Sequence, residues 1–99
     1  MADFEWDPHK EVENVRKHGI DFTTASQVWS GPVYEQIDDR KDYGETRILT
    51  FGISESRVLA VLYTWRGTTR RIISARRSNA RERRRHEEEI HNRGDPAQN

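Results

Sequence analysis

Val58-Leu59-Ala60-Val61-Leu62-Tyr63-Thr64-Trp65-Arg66-Gly67-Thr68-Thr69-Arg70-Arg71-Ile72-Ile73-Ser74-Ala75-Arg76-Arg77 decides the fold. Its first half, Val58 to Trp65, is apolar almost throughout, the pattern of a strand buried on both faces. Arg66-Gly67-Thr68 is a turn. Its second half, Thr69 to Arg77, has an apolar centre bracketed by two pairs of arginines. That is a strand anchored at its middle and presenting cations at both ends. So short a connection makes the two strands antiparallel neighbours. Side-chain alternation places Arg71 with Ile73 and Arg77 on one face, and Arg70 with Ile72 and Arg76 on the other.

Two further strands precede this pair. Val33 to Asp38 and Thr46 to Ile53 flank the polar loop Asp39 to Gly44, and Ser54-Glu55-Ser56 turns the chain into the stretch above. Short loops throughout predict a meander. Before it come two helices. Asp7-Pro8 supplies an N-cap and an N1 proline, and the first helix runs through Val12 and Val15 to about His18. Gly19 fits the left-handed position after its end, with Ile20 making the accompanying apolar contact. Asp21 caps the second, whose Phe22, Ala25, Val28 and Trp29 fall along one face until Ser30-Gly31-Pro32 stops it. Phe4-Glu5-Trp6 is an edge strand or a packing arm. Downstream, Ser78 or Asn79 caps a last helix from Ala80 to about Asn92, with Gly94 past its end. The fold class is therefore α+β: two N-terminal helices, a four-stranded antiparallel meander sheet and a C-terminal helix. Residues 1–94 form a single domain and 95–99 a disordered tail.

Ninety-nine residues bound the chain to one small domain with a thin core. It has no cysteine, so disulfides and thiolate metal sites are excluded. No apolar run reaches the length of a membrane span and no signal peptide is visible, so a cytoplasmic protein without membrane partners is expected. The formal net charge is zero, but the charge is segregated. Nine arginines stand between Arg66 and His86 against one acid, Glu82. The acids gather before residue 46 and in Glu87-Glu88-Glu89. Of 17 basic residues only Lys10, Lys17 and Lys41 are lysines. Arginine's planar fork suits bidentate phosphate recognition. The last helix has no apolar stripe beyond Ala80 and Ile90. Its arginines lie toward its N-terminus and its glutamates toward its C-terminus, against the macrodipole. Pairs such as Arg83–Glu87 and Arg84–Glu88 add only a few tenths of a kcal/mol each. An exposed helix ordered by a partner is expected.

A series of motifs runs along nearly the whole chain. It begins with Phe4-Glu5-Trp6-Asp7-Pro8, Asn14 and Lys17-His18-Gly19-Ile20-Asp21-Phe22. Ala25, Val28, Asp39-Arg40, Gly44-Glu45 and Arg47 follow. Tyr63-Thr64-Trp65-Arg66, Arg71 to Arg77 and Glu82-Arg83 close it. In these residues the sequence resembles the BrnT family of toxins from type II toxin–antitoxin systems. The resemblance implies a RelE-like ribonuclease fold and an endoribonuclease that cleaves mRNA and inhibits translation. It also implies a BrnA-like antitoxin, a DNA-binding protein that neutralises the toxin and brings it to operator DNA. The sequence departs from the family at Arg85 and His86, where apolar or aromatic residues are common. Trp65, often polar in the motif, either stacks on a base or packs in the core; packing is favoured.

A metal-independent ribonuclease needs a base for the 2′-OH, cations for the phosphorane and an acid for the leaving 5′-oxygen. The products would be a 2′,3′-cyclic phosphate and a 5′-OH, and DNA would be spared. Arg76 is the candidate phosphate clamp, with Arg47 and Arg66 from neighbouring strands. His18 is the candidate acid or base because its ordinary pKa suits proton transfer near neutrality. Lys17 adds charge or a second titratable group. Glu45 is the alternative base, two residues before Arg47 and on its face. Arg71 and Arg77 are expected to contact RNA, and Arg81, Arg84 and Arg85 the antitoxin. No cofactor is expected, and the histidine spacings form no metal motif. The competing readings are a non-catalytic RNA-binding module and an interaction protein acting only within a DNA-binding repressor complex.

Overall fold

In the computed structural model, which describes residues 3–94, the elements follow the chain as β1 (Asp3–Trp6), α1 (Pro8–His18), α2 (Phe22–Ser26) continued by a 3-10 turn (Gln27–Ser30), β2 (Tyr34–Asp38), β3 (Arg47–Ser54), β4 (Arg57–Arg66), β5 (Thr69–Arg77) and α3 (Ala80–Gly94). The tail expected from 95 to 99 lies outside the described residues.

The mixed α+β class holds, and the sheet corrects its detail. It has five strands in the order β1-β5-β4-β3-β2, not four. β2 to β5 form the expected antiparallel meander. Phe4-Glu5-Trp6 joins it as β1, parallel to β5, with Phe4 beside Arg70 and Trp6 beside Ile72. An isolated parallel strand leaves no hairpin signature, because its partner lies more than sixty residues away. Between β3 and β4, Glu55 and Ser56 both take positive φ (51° and 65°), a two-residue turn whose twist matches the strands it joins.

The helical region also differs. α1 has the expected caps: Asp7 accepts the His9 amide at 2.8 Å, and Gly19 closes the helix at φ 70°. The second helix is one short α segment, capped by Asp21, that tightens into the 3-10 turn. Phe22, Ala25 and Val28 are fully buried, as their spacing predicts. They form the core with Ile20, Leu59, Val61, Ile72 and Ala75, with Phe4, Trp6, Trp29 and Val33 packed around them. Val28 sits so close to Gly52 that a Cβ there would lie 2.9 Å from its own. Val12 and Val15 face solvent. α1 docks instead through buried Asn14, whose side-chain amide both accepts from Ala75 N–H (3.0 Å) and donates to Ala75 C=O (2.9 Å). β1 stops at Ile72, and Asn14 takes over the free edge of β5 where that strand ends.

α1, α2 and the 3-10 turn therefore cover one face of the sheet, the helix face. α3 lies across one end of the opposite, open face, over β2 and β3. Asn79 is its cap, with a reciprocal bond pair to Glu82 (2.8 and 3.0 Å), a capping box. The helix runs through Gly94 instead of ending before it. It is not wholly exposed, because His86 is only 4% exposed beside Ile53, Val58 and Ile90. The expected Arg83–Glu87 and Arg84–Glu88 pairs are not among its contacts. Arg83 turns back to Ser78 C=O, and Arg85 pairs with Glu89.

Candidate nucleic-acid interface

A β-bulge decides which arginines share a face. The pairing of β4 and β5 shifts between Leu62 and Tyr63, so that Leu62 faces Ser74 while Tyr63 faces Ile72. Ile73 is the extra residue, and the alternation on β5 flips across it. Thr64, Leu62 and Ala60 point to the open face, and their partners are Arg71, Ser74 and Arg76. Trp65, Tyr63, Val61 and Leu59 point to the helix face, opposite Arg70, Ile72, Ala75 and Arg77. This corrects the grouping expected from simple alternation. Arg71 stands with Arg76, not with Arg77.

The open face is built on the apolar side chains of Leu49, Leu62 and Phe51, with arginine–carboxylate pairs around them. Glu45 lies between two arginines, 3.1 Å from Arg47 and 3.6 Å from Arg66. The Arg47 guanidinium also lies 4.1 Å over the Tyr43 ring, and the Tyr43 hydroxyl donates to Asp38 (3.3 Å). Asp38 is buried and accepts from Arg40 at 2.8 and 3.0 Å, which holds its carboxyl below the usual range. The polar loop 39–46 is thus tied to both strands it joins, and presents Glu45 and its two arginines at the sheet end. Arg71 pairs with Glu5, its neighbour on β1.

Arg76 stands farther along. It opposes Ala60, whereas Arg71 opposes Thr64, a separation of about 13 Å along the strands. Its guanidinium grips Glu82 through two bonds of 2.8 and 2.9 Å. That contact lowers the Glu82 carboxyl pKa and raises that of Arg76. Arg76 therefore binds α3 to the sheet. The spacing Asn79-x-x-Glu82 was the signal for this partner, since a capping-box carboxylate lies at a helix N-terminus beside the strand end. Arg81, Arg84 and Arg85 line a groove of about 480 Å³ with Tyr34, Gln36 and Phe51, between α3 and the open face.

Lys17 and His18 are not gathered with these groups. They line a separate depression of about 360 Å³ with His9, Lys10, Glu13, Ile73 and Ser74, on the α1 side of β5. Arg77 is exposed on the helix face. Trp65, expected to pack in the core, is 42% exposed. Among the described residues, no three His, Asp or Glu side chains converge as a metal-binding group, and no helix is long and apolar enough to cross a membrane.

Residues 6–82 match the ribonuclease toxin BrnT of type II toxin–antitoxin systems. The chain belongs to the BrnT toxin family. Membership makes ribonuclease chemistry the activity of its class, RNA the substrate and an antitoxin the partner. The BrnT match spans the open-face ion pairs from Glu45–Arg47 to Arg76–Glu82, leaves out Glu5 of the Arg71 pair, and ends at the first turn of α3. Arg84, Arg85 and His86 lie beyond it. No curated protein matches the chain.

Proposed function

We propose that this BrnT toxin is a metal-independent endoribonuclease that cuts mRNA by internal attack of the 2′-hydroxyl. The observation that carries the reading is the Glu45 carboxylate set between Arg47 and Arg66 at an accessible sheet end. Glu45 takes the 2′-OH proton. The 2′-oxygen then attacks phosphorus as the bond to the 5′-oxygen breaks, and that oxygen takes a proton from water, giving a 2′,3′-cyclic phosphate and a 5′-OH. Arg47 and Arg66 supply the positive charge that the phosphorane needs, the role a metal ion fills in other nucleases. Arg71 and Arg76, on the same face, hold flanking phosphates, Arg76 by exchanging its Glu82 pair for one, while Arg77 projects from the helix face and meets RNA only where the strand rounds the sheet. Lys17 and His18 act as acid or base only if the strand also reaches the depression beside α1, so Glu45 is the preferred base. Arg81, Arg84 and Arg85 face a BrnA-like antitoxin. That partner neutralises the toxin and carries it to operator DNA.

Purified protein should cleave RNA in EDTA, and a single 2′-deoxy nucleotide at the scissile position should block the cut. Glu45→Gln should lower the rate by about 100-fold or more. Wild-type cleavage by Glu45→Gln together with loss in His18→Ala would move the base to α1. Intact RNA after long incubation, with binding retained, would leave a non-catalytic RNA-binding module.

A further inference from the structure

The ribonuclease reading uses the open face, but the same end of the sheet carries a second cationic site on the other side. Arg70 projects from the helix face beside Trp65. Its guanidinium lies 4.6 Å from the Trp65 ring, 4.7 Å from Trp29 and 5.4 Å from Tyr63. It has no carboxylate within 4 Å among the described residues, and its Nε is buried without a hydrogen-bond partner. Glu35, the acid bound to the Trp29 and Tyr63 rings of the cluster, is already engaged. One of its oxygens accepts from Thr50 (2.6 Å), Tyr63 (3.0 Å) and Trp29 (3.4 Å). A half-buried cation held by rings and lacking a counter-ion is costly to keep unless an anion comes to it. The face is also open here, with Trp65 and, beyond it, Ile37 exposed.

Resting on the ribonuclease reading, we infer that Trp65 and Arg70 form a flanking-nucleotide subsite for single-stranded RNA, Trp65 stacking a base and Arg70 holding its phosphate. Arg66 is adjacent to Trp65 in the chain and pairs with Glu45 on the opposite face. A strand crossing the Arg66-Gly67-Thr68 turn therefore passes from the scissile site to this platform. Stacking tolerates every base, so the subsite adds affinity without sequence readout.

The test is titration of a 2′-O-methyl RNA decamer, which offers no 2′-hydroxyl to attack, against wild-type, W65A, W65F and R70K proteins. W65A should bind about 5- to 150-fold more weakly, the range for one lost base stack. W65F should recover most of that loss, and R70K should weaken binding while keeping the charge. Cross-linking the wild type to a 4-thiouridine oligonucleotide checks the site even if a variant fails to fold. The attachment should fall within Trp65–Arg70. Wild-type affinity in both W65A and R70K, or attachment confined to α1 or α3, would overturn the subsite and leave the Glu45 site standing. Loss of antitoxin binding in W65A with RNA affinity unchanged would assign the surface to a protein and overturn the subsite too. A wild type that neither binds the decamer nor cuts RNA would remove the ribonuclease reading and the subsite together.

Discussion

Asn14 shows how much one polar side chain contributes when it replaces backbone. Its amide meets Ala75 N–H and C=O as a neighbouring strand would, and donates a further bond to Ile20 C=O at 2.8 Å. Every one of these groups is buried. Asn14→Ala leaves two carbonyls and one amide without partners. It should cost about 2–4 kcal/mol, lowering the thermal midpoint by roughly 10–20 °C in a domain of this size. Calorimetry of the two proteins checks it, and a shift of only a few degrees would mean that water replaces the amide. The residue gives no such sign in the sequence, where it looks like one more polar position between Val12 and Val15. Helical periodicity finds apolar faces and is blind to a face that docks through a hydrogen-bonded amide. The opposite holds for Phe22, Ala25 and Val28. Their spacing names the core because burial there is purely apolar.

At the scale of elements, α3 is the part least supported by its own composition. It is held by Asn79 and Glu82 at its start, by Arg76 reaching up from β5, and by His86 beneath it. The Glu82 carboxyl is held low, first by the Arg76 hydrogen bonds. A pKa that falls on folding means the native state binds fewer protons than the unfolded state. Its stabilisation is therefore complete above the unfolded value, near 4.5, and is lost as pH drops through the lower folded value. Unfolding of the wild type should become easier as pH falls below about 4.5, and Glu82→Gln should show a flatter profile there. Chemical denaturation across that window reads the difference. Parallel curves would place the acid sensitivity in other carboxyls held low, such as Asp38 beside Arg40 and Asp21 at its helix cap. Turns, caps and the β2–β5 meander were legible because each has local chemistry. The bulge at Ile73 was not. Ile72-Ile73-Ser74 reads as regular strand, and only the register with β4 shows the inserted residue. Every face assignment after it changes, so Arg71 and Arg76 share a face that regular alternation would deny them.

For the whole molecule, the absence of net charge conceals a directional surface. The arginines of the open face are set against carboxylates that keep each guanidinium in place. RNA binding then exchanges protein ion pairs for phosphate contacts and releases counterions from the strand. If Arg47, Arg66, Arg71 and Arg76 each meet a phosphate, the logarithm of affinity should fall with the logarithm of salt at a slope of about −3. Arg66→Ala should make that slope shallower by about 0.7. Titrations between low and physiological salt decide this, and a slope near zero would argue that the pairs stay closed.

The parallel pairing of β1 with β5 orders events during synthesis. Asp3 to Trp6 are made before every other element of the described fold, yet among the described residues their strand partner is Thr69 to Ile72. Until that segment emerges, the first strand has no ladder and Phe4 and Trp6 have no β5 to pack beside. The sheet of residues 3–77 therefore stays incomplete until β5 has been made. Closure of the five-stranded sheet is thus a late step, set by a contact between segments more than sixty residues apart.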